Sequence, residues 1–380
     1  MAFYDPDFDA HMMAIALRMA KRGLGSTAPN PSVGAVIADE DTGEVIARGW
    51  TQPGGRPHAE KEALRRAGAR ARGKTMYVTL EPCAHTGRNP TCADAVLASG
   101  ITRLVCALAD PNPVIAGRGL ADLAAAGVNV QTGLMAAEAS ALTAGHILRR
   151  TVGRPFVQLK LAVSLDGRIA TGNGKPVWVT GPQARAHGHL LRAEADAILV
   201  GIKTILADDP ELTCRLPGLE QASPDRVIVD NKLRTPLGAR VLNLDRAARR
   251  VWIATCLAVD ELEDRTDVPD GALILTGLGT SEPDDPNNRV DLSALMETLA
   301  GNGITRVLVE GGPTIAQNIL ADDLADEVAL FRGGMPLGDN GIEPLGQNGL
   351  VRFDDPKTWH AVEHRVLGAD TMTIWRRVRG

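Results

Sequence analysis

The stretch from His58-Ala59-Glu60 through Glu81-Pro82-Cys83 to Cys92 constrains the fold of this chain more than any other. It offers one imidazole and two thiols, and three such donors share a metal only if separate segments of the chain meet at one point. Three protein ligands leave a fourth tetrahedral position for water, whose pKa a bound zinc ion lowers to about 7. Glu60 follows closely enough to shuttle that water's proton if the segment opens a helix whose first turn faces the metal. A structural zinc site would need a fourth side chain, and the sequence offers no obvious one. The blander alternative is two buried free cysteines beside a solvated His-Glu pair.

His-x-Glu followed by Pro-Cys and a second Cys is the signature of the zinc deaminases, in which the Glu is general acid/base and water attacks an amino-bearing ring carbon. Their common thiol spacing is C-x-x-C, whereas here the eight residues from Ala84 to Thr91 intervene. The string Thr79-Leu80-Glu81-Pro82-Cys83-Ala84-His85-Thr86-Gly87-Arg88, with that wide gap, resembles the deaminase half of the bifunctional deaminase/reductase family of riboflavin biosynthesis. Pro29-Asn30-Pro31-Ser32-Val33-Gly34-Ala35-Val36 is similar to the same family's N-terminal motif. A tRNA or cytidine deaminase would account for only the first 150 residues.

The resemblance implies a cytidine-deaminase-like first domain with His58, Cys83 and Cys92 on zinc and Glu60 as the catalytic acid/base. It also places Asn30, His85 and Arg88 on the substrate, with Arg88 suited to phosphate. An amide can donate to and accept from a pyrimidine edge, so chemistry agrees for Asn30; the alternative is that it only fixes a turn between two prolines.

At 380 residues the chain exceeds one ordinary core, and two domains are expected. Hydrophobic content of 44% and charged content of 23% are those of a globular protein. A net charge of −5 and a pI near 5.9 advertise no polyanionic partner, which argues against nucleic acid. The basic run of Arg65, Arg66, Arg70, Arg72 and Lys74 reads as the solvated side of a helix and its C-terminal turn. No apolar run reaches the roughly eighteen residues that span a bilayer, and no signal-peptide pattern opens the chain, so a cytoplasmic location is expected. Five irregularly spaced cysteines argue against a disulfide framework, and Cys106 reads as core.

In the first domain the patterning predicts a helix over Asp7–Gly23, strands over Val33–Ala38 and Glu44–Gly49, and a helix from His58 to Ala69. A strand Thr75–Leu80, a helix Cys92–Ala98, a strand Arg103–Leu108, a helix Gly119–Ala126, a strand Val128–Thr132 and a helix from Ala136 follow. The order predicts an α/β unit: a mixed sheet with helices on both faces. Gly145 to Pro155 reads as a linker, giving domains of 1–148 and 149–380.

The second domain opens on the alternating run Phe156–Ser164, with strands predicted at Ala197–Val200, Arg226–Val229, Val251–Ala254, Leu273–Leu275 and Arg306–Val309. Helices are predicted over Gln183–Ala193, Leu292–Ala300 and Thr314–Leu320, and Asp260–Asn288 reads as a surface excursion. After the last strand, Glu310-Gly311-Gly312-Pro313-Thr314 lets the backbone approach a ligand and starts a helix whose free amides suit a dinucleotide phosphate.

With Ser164-Leu165-Asp166-Gly167-Arg168 and Thr204-Ile205-Leu206-Ala207-Asp208-Asp209-Pro210, this segment resembles the reductase domain of the same family. That resemblance implies a dihydrofolate-reductase-like α/β fold and NADPH. It carries cofactor roles onto Ala162, Trp178, Thr204, Asp208, Gly312, Pro313, Thr314, Ile315, Ala316, Gln317 and Asn318. It carries substrate roles onto Arg192, Leu212, Arg215 and Glu310; the two arginines are fork-shaped donors fit for a ribose phosphate. Lys160 and Asp166 are further candidates for the reduction step. Pro176 stands where the family has a substrate-contacting serine, and the segment from Arg332 to Gly338 matches only loosely.

The expected protein deaminates a diaminopyrimidinone ribosyl phosphate with zinc and then reduces the ribosyl group to ribityl with NADPH. Its expected partner is that small phosphorylated pyrimidine, with neither nucleic acid nor membrane, and homo-oligomer formation is open. The competing readings are a deaminase with a degenerate second domain, a nucleoside or tRNA deaminase with an appended domain, and a scaffold using zinc structurally.

Overall fold

Alternation along the strands shows how each half of the chain is layered. The computed structural model describes residues 6–84, 90–112, 116–171, 177–243, 249–263, 265–282, 285, 287–346 and 349–379. Two units divide between Arg154 and Pro155.

The first unit runs α1 (Pro6–Lys21), β1 (Gly34–Ala38), β2 (Val45–Trp50), α2 (Ala59–Ala67), β3 (Thr75–Val78), α3 (Cys92–Ser99), β4 (Arg103–Cys106), α4 (Arg118–Ala125), β5 (Asn129–Thr132) and α5 (Ala136–Thr151). Its sheet has the order β2-β1-β3-β4-β5. β1 is antiparallel to β2 and β3, while β3, β4 and β5 are parallel.

Ala35, Ile37, Met76, Val78, Leu104 and Cys106 pack on one side with Ala63, Ala93, Val96 and Leu123 from α2, α3 and α4. Val36, Ala38, Tyr77 and Val105 pack on the other with Met13, Ala16 and Leu17 of α1 and Ala139 of α5. Both faces are covered, so the central strands are apolar throughout. Gly49 permits a close approach: a Cβ there would lie 2.3 Å from the Ala59 carbonyl oxygen, so α2 can rest on β2 only because the position has no side chain.

The expected linker is largely helical. α5 extends to Thr151, so the boundary expected after Leu148 falls inside it. Arg149 and Arg150, which read as linker composition, sit in the helix's last turn, where cations complement the helix dipole.

The second unit runs β6 (Phe156–Val163), α6 (Pro182–Ala193), β7 (Ala197–Gly201), α7 (Ile202–Asp208), β8 (Asp225–Val229), β9 (Val251–Ala254), α8 (Asp260–Glu263), β10 (Leu273–Leu275), α9 (Leu292–Gly301), β11 (Arg306–Val309), α10 (Pro313–Ala321), β12 (Glu327–Arg332), β13 (Trp359–Leu367) and β14 (Asp370–Arg377). The sheet order is β10-β9-β8-β7-β11-β6-β12-β14-β13. The pairings from β10 to β12 are parallel, and β14 and β13 close the sheet as an antiparallel hairpin.

Val157, Leu159, Leu161 and Val163 of β6 point into the core shared with α9 and α10. Lys160 and Ala162, on the opposite face, line a cavity together with residues of α6. α7, β12 and the β13–β14 hairpin add to the elements predicted from the sequence. β13 is mostly exposed and so lacks the half-buried alternation by which a strand is recognised.

Candidate active sites

Three segments converge in the first unit. His58 is the N-cap of α2, Cys83 lies in the loop after β3, and Cys92 is the first residue of α3. His58 Nδ1 is 3.7 Å from Cys83 Sγ and 3.3 Å from Cys92 Sγ. A tetrahedral zinc with bonds of about 2.0–2.3 Å separates an N and an S donor by about 3.6 Å, so the three residues fit that ion.

α3 begins on a capping box, with Thr91 Oγ1 accepting from the Asp94 amide and Asp94 Oδ2 accepting from the Thr91 amide. The amides of Cys92 and Ala93 both donate to the Cys83 carbonyl, and the Cys92 amide also lies 3.4 Å from Cys83 Sγ. The Cys92 thiol, that amide and His58 draw the Cys83 thiol down to about 4, and the adjoining thiol pushes Cys92 up. A bound cation is what lets both sulfurs serve as thiolates.

Glu60, in the first turn of α2, is 3% exposed, and burial raises its carboxyl above the usual range. A carboxyl raised this way keeps a proton more readily than a solvated one, which suits an acid/base role. Glu81 has a different part. Its carboxylate accepts from the backbone amides of Asp110, Gly117, Gly119 and Leu120 and so ties the start of the cysteine loop to the start of α4. Asn30 Nδ2 donates to the Gly55 carbonyl at 3.3 Å, in the turn that leads into His58. His85 and Arg88 lie outside the described residues, as does Pro176.

In the second unit a cavity of about 750 Å³ is lined by Ala162, Trp178, Arg192, Asp208, Arg215, Glu310, Gly312, Pro313 and Ala316 among the sequence-predicted residues. A second cavity of about 280 Å³ is lined by Thr204, Thr314, Ile315 and Asn318, and shares Gly312 and Pro313 with the first. Gln317 is exposed and Leu212 is buried, and neither is among the residues lining the two cavities. A Cβ at Gly312 would meet only Thr204 Oγ1, at 3.8 Å. The bare backbone at the head of α10 therefore leaves room for a phosphate-bearing cofactor, which is the fit NADPH requires.

The floor of the larger cavity is an ionic cluster. Arg192 Nε and a terminal nitrogen donate to Glu310 at 2.7 and 3.0 Å, and Lys160 Nζ lies 3.6 Å away. Burial works against the Glu310 carboxylate, yet Arg192 and Lys160 hold it down to about 2. The fork of Arg192 is thus spent within the protein, while Arg215 keeps a half-exposed guanidinium 3.6 Å from Glu211.

Arg185, His189 and Arg192 face the cavity from α6. His189 Nδ1 accepts from the Arg215 amide at 3.3 Å, and burial together with Arg192 and Arg215 lowers its pKa, favouring neutral imidazole. Sequence reasoning missed His189, although its spacing from Arg185 and Arg192 on a predicted helix put it on their face. Asp166 is committed elsewhere: it accepts from Ser164 Oγ and from the amides of Leu337 and Gly338, holding the turn after β12.

Fold and sites together define a zinc-dependent deaminase joined to a pyridine-nucleotide reductase. Residues 6–108 match the cytidine and deoxycytidylate deaminase zinc-binding region, and residues 155–373 match the RibD C-terminal domain. The chain is 39% identical over 373 residues to riboflavin biosynthesis protein RibD of Escherichia coli K12, covering 95% of this chain and 97% of that one. It is 38% identical to RibD of Aquifex aeolicus, covering 91% and 94%. Among solved structures, Acinetobacter baumannii RibD superimposes with a TM-score of 0.82 at 34% identity, covering 99% of this chain and 100% of that one. A Thermotoga maritima diaminohydroxyphosphoribosylaminopyrimidine deaminase/5-amino-6-(5-phosphoribosylamino)uracil reductase gives 0.82 at 32%, with 99% and 100% covered.

The chain belongs to the RibD family. It is a bifunctional deaminase and reductase of riboflavin biosynthesis, with zinc and NADPH as its cofactors. Nothing in these likenesses favours a degenerate second domain. No helix among the described residues is long and apolar enough to cross a membrane.

Proposed function

We propose that this chain removes the amino group at C2 of 2,5-diamino-6-ribosylamino-4(3H)-pyrimidinone 5′-phosphate and then reduces the ribosyl group of the product to ribityl. The observation that carries the first step is the three-donor cluster of His58, Cys83 and Cys92 beside a buried Glu60. Zinc held there supplies Lewis acidity that brings the pKa of a water to about 7. Glu60 takes the proton of the attacking water and returns it to the departing amine, so that water and the C–NH2 group give a C=O group and ammonia. Asn30 reads the pyrimidine edge, and His85 and Arg88 complete the substrate site.

The second step would draw on the hydride that bound NADPH supplies, delivered to C1′ of the opened ribose in its imine form, with the imine nitrogen taking a proton from solvent. The residues from Gly312 to Asn318, with Ala162, Trp178, Thr204 and Asp208, seat the cofactor. Glu310, fixed by Arg192 and Lys160, and the half-exposed Arg215 orient the substrate, and the buried Leu212 completes the set that the resemblance assigns to it. Catalysis here rests on placement and polar contacts and requires no covalent nucleophile.

We assign the two activities to residues 1–148 and 149–380, and the fold divides a few residues later, between Arg154 and Pro155. We place the protein in the cytoplasm and treat self-association as open to a light-scattering measurement. Incubating the protein with the diaminopyrimidinone phosphate, with and without NADPH, and separating the products tests the reading. Ammonia and the deaminated ribosyl compound are expected without NADPH, and the ribityl compound with stoichiometric loss of NADPH absorbance when it is added. Ammonia release without NADPH oxidation would leave a deaminase alone.

A further inference from the structure

We infer that Lys203, Arg234 and Arg289, at the smaller cavity of the second unit, select NADPH over NADH by holding the phosphate on the adenosine ribose. The inference rests on the cofactor reading above and goes beyond it by assigning the specificity to residues that none of the motifs or likenesses point to.

Gly312 and Pro313 line both cavities, which therefore flank the head of α10, and a dinucleotide lying across that head would place one end in each. The larger cavity holds the Glu310 cluster, where the substrate must lie, and this leaves the smaller one for the adenosine end. Its wall includes Ile202, Val229, Val290 and Leu292, apolar surface against which a purine can rest.

Its charged lining has a single sign. Lys203, Arg234 and Arg289 are there, and no Asp or Glu is among the lining residues. Dinucleotide sites that take the unphosphorylated ribose present a carboxylate to its 2′-hydroxyl, whereas sites for the phosphorylated form present an arginine. The three cations are also weakly engaged. Arg234 is half-exposed with its nearest carboxylate, Asp230, at 3.9 Å, and Arg289 is half-exposed with Asp322 at 3.9 Å. Lys203 is exposed. Neither arginine would have to give up a close ion pair to meet a dianion, and a guanidinium fork meets two phosphate oxygens at once.

The test is equilibrium binding to the full chain, followed by fluorescence, with NADPH, NADH, 2′,5′-ADP and 5′-AMP as the four probes. The unaltered protein is expected to bind NADPH about a hundredfold more tightly than NADH, and 2′,5′-ADP more tightly than 5′-AMP. Arg234→Ala and Arg289→Ala are each expected to cut the NADPH-to-NADH affinity ratio by about tenfold, and the double variant to bring it near unity.

A ratio unchanged in the double variant, or equal losses for the two nucleotides, overturns the inference while leaving the cofactor reading intact. Failure of the unaltered protein to bind either nucleotide overturns both. A far-ultraviolet circular dichroism spectrum matching the unaltered protein certifies that the variants are folded, as the exposure of both side chains leads one to expect.

Discussion

Glu60 is a buried carboxylate and Glu310 a nearly buried one, yet their surroundings assign them opposite tasks. Desolvation raises Glu60 and so favours its protonated form, whereas two cations pin Glu310 as an anion. Glu60→Gln should retain zinc by metal analysis and lose ammonia release by about a hundredfold or more; retained turnover would remove Glu60 from its role.

Glu310 has a folded-state pKa of about 2, below its unfolded value, so its contribution to stability is present above the unfolded pKa near 4.5 and is lost only as pH falls through about 2. Glu310→Gln should therefore unfold at a lower temperature than the unaltered protein at pH 7, and that gap should narrow between about pH 4.5 and pH 2. A gap that stays constant over this range would mean that the charge of Glu310 contributes nothing. The residue scale also shows what composition hides. Arg192 reads as a phosphate donor in the sequence, but only the fold reveals that Glu310 already occupies its fork.

At the scale of elements, the metal site depends on how closely α2 lies on β2. Gly49→Ala would put a methyl 2.3 Å from the Ala59 carbonyl and 2.6 Å from the Ala63 amide nitrogen, both backbone atoms, so α2 must move. The expected outcome is a destabilisation of about 1–3 kcal/mol in thermal unfolding together with reduced zinc content on purification.

Most elements were legible because their strands alternate or are buried on both faces, and because the helices of the first unit open or close on recognisable residues such as Thr91 and Gly100. His58, Cys83 and Cys92, which the fold brings together, were legible as a motif of residue types. The β13–β14 hairpin was not, since its outer strand is exposed and carries no core-facing stripe. Nor could the sequence show that Leu212 is buried with a positive φ of 56°, or that His189 accepts from the Arg215 amide, because both depend on where distant segments pack.

At the scale of the whole molecule, the two chemistries use different cofactors held by different units. Chelation should therefore separate them. Dialysis against a strong chelator is expected to abolish ammonia release from the diamino substrate, while NADPH oxidation with the already deaminated substrate continues at its former rate. Parallel loss of both rates would mean that the metal also supports the second unit, and addition of zinc should restore the first activity alone.

The carboxylate of Glu81 carries one more implication. Lodged beside Pro82 and Cys83, it resembles a catalytic acid to anyone scanning the motif, but four amides from a stretch some thirty residues onward already claim its oxygens. It works as a clasp. Replacing it by Ala should cost zinc affinity on the order of tenfold or more in a competition titration, though the side chain never touches the ion. Part of the grip on the metal would then originate outside its coordination sphere, and drift in the 110–120 stretch could weaken the enzyme without altering any residue that meets zinc or substrate.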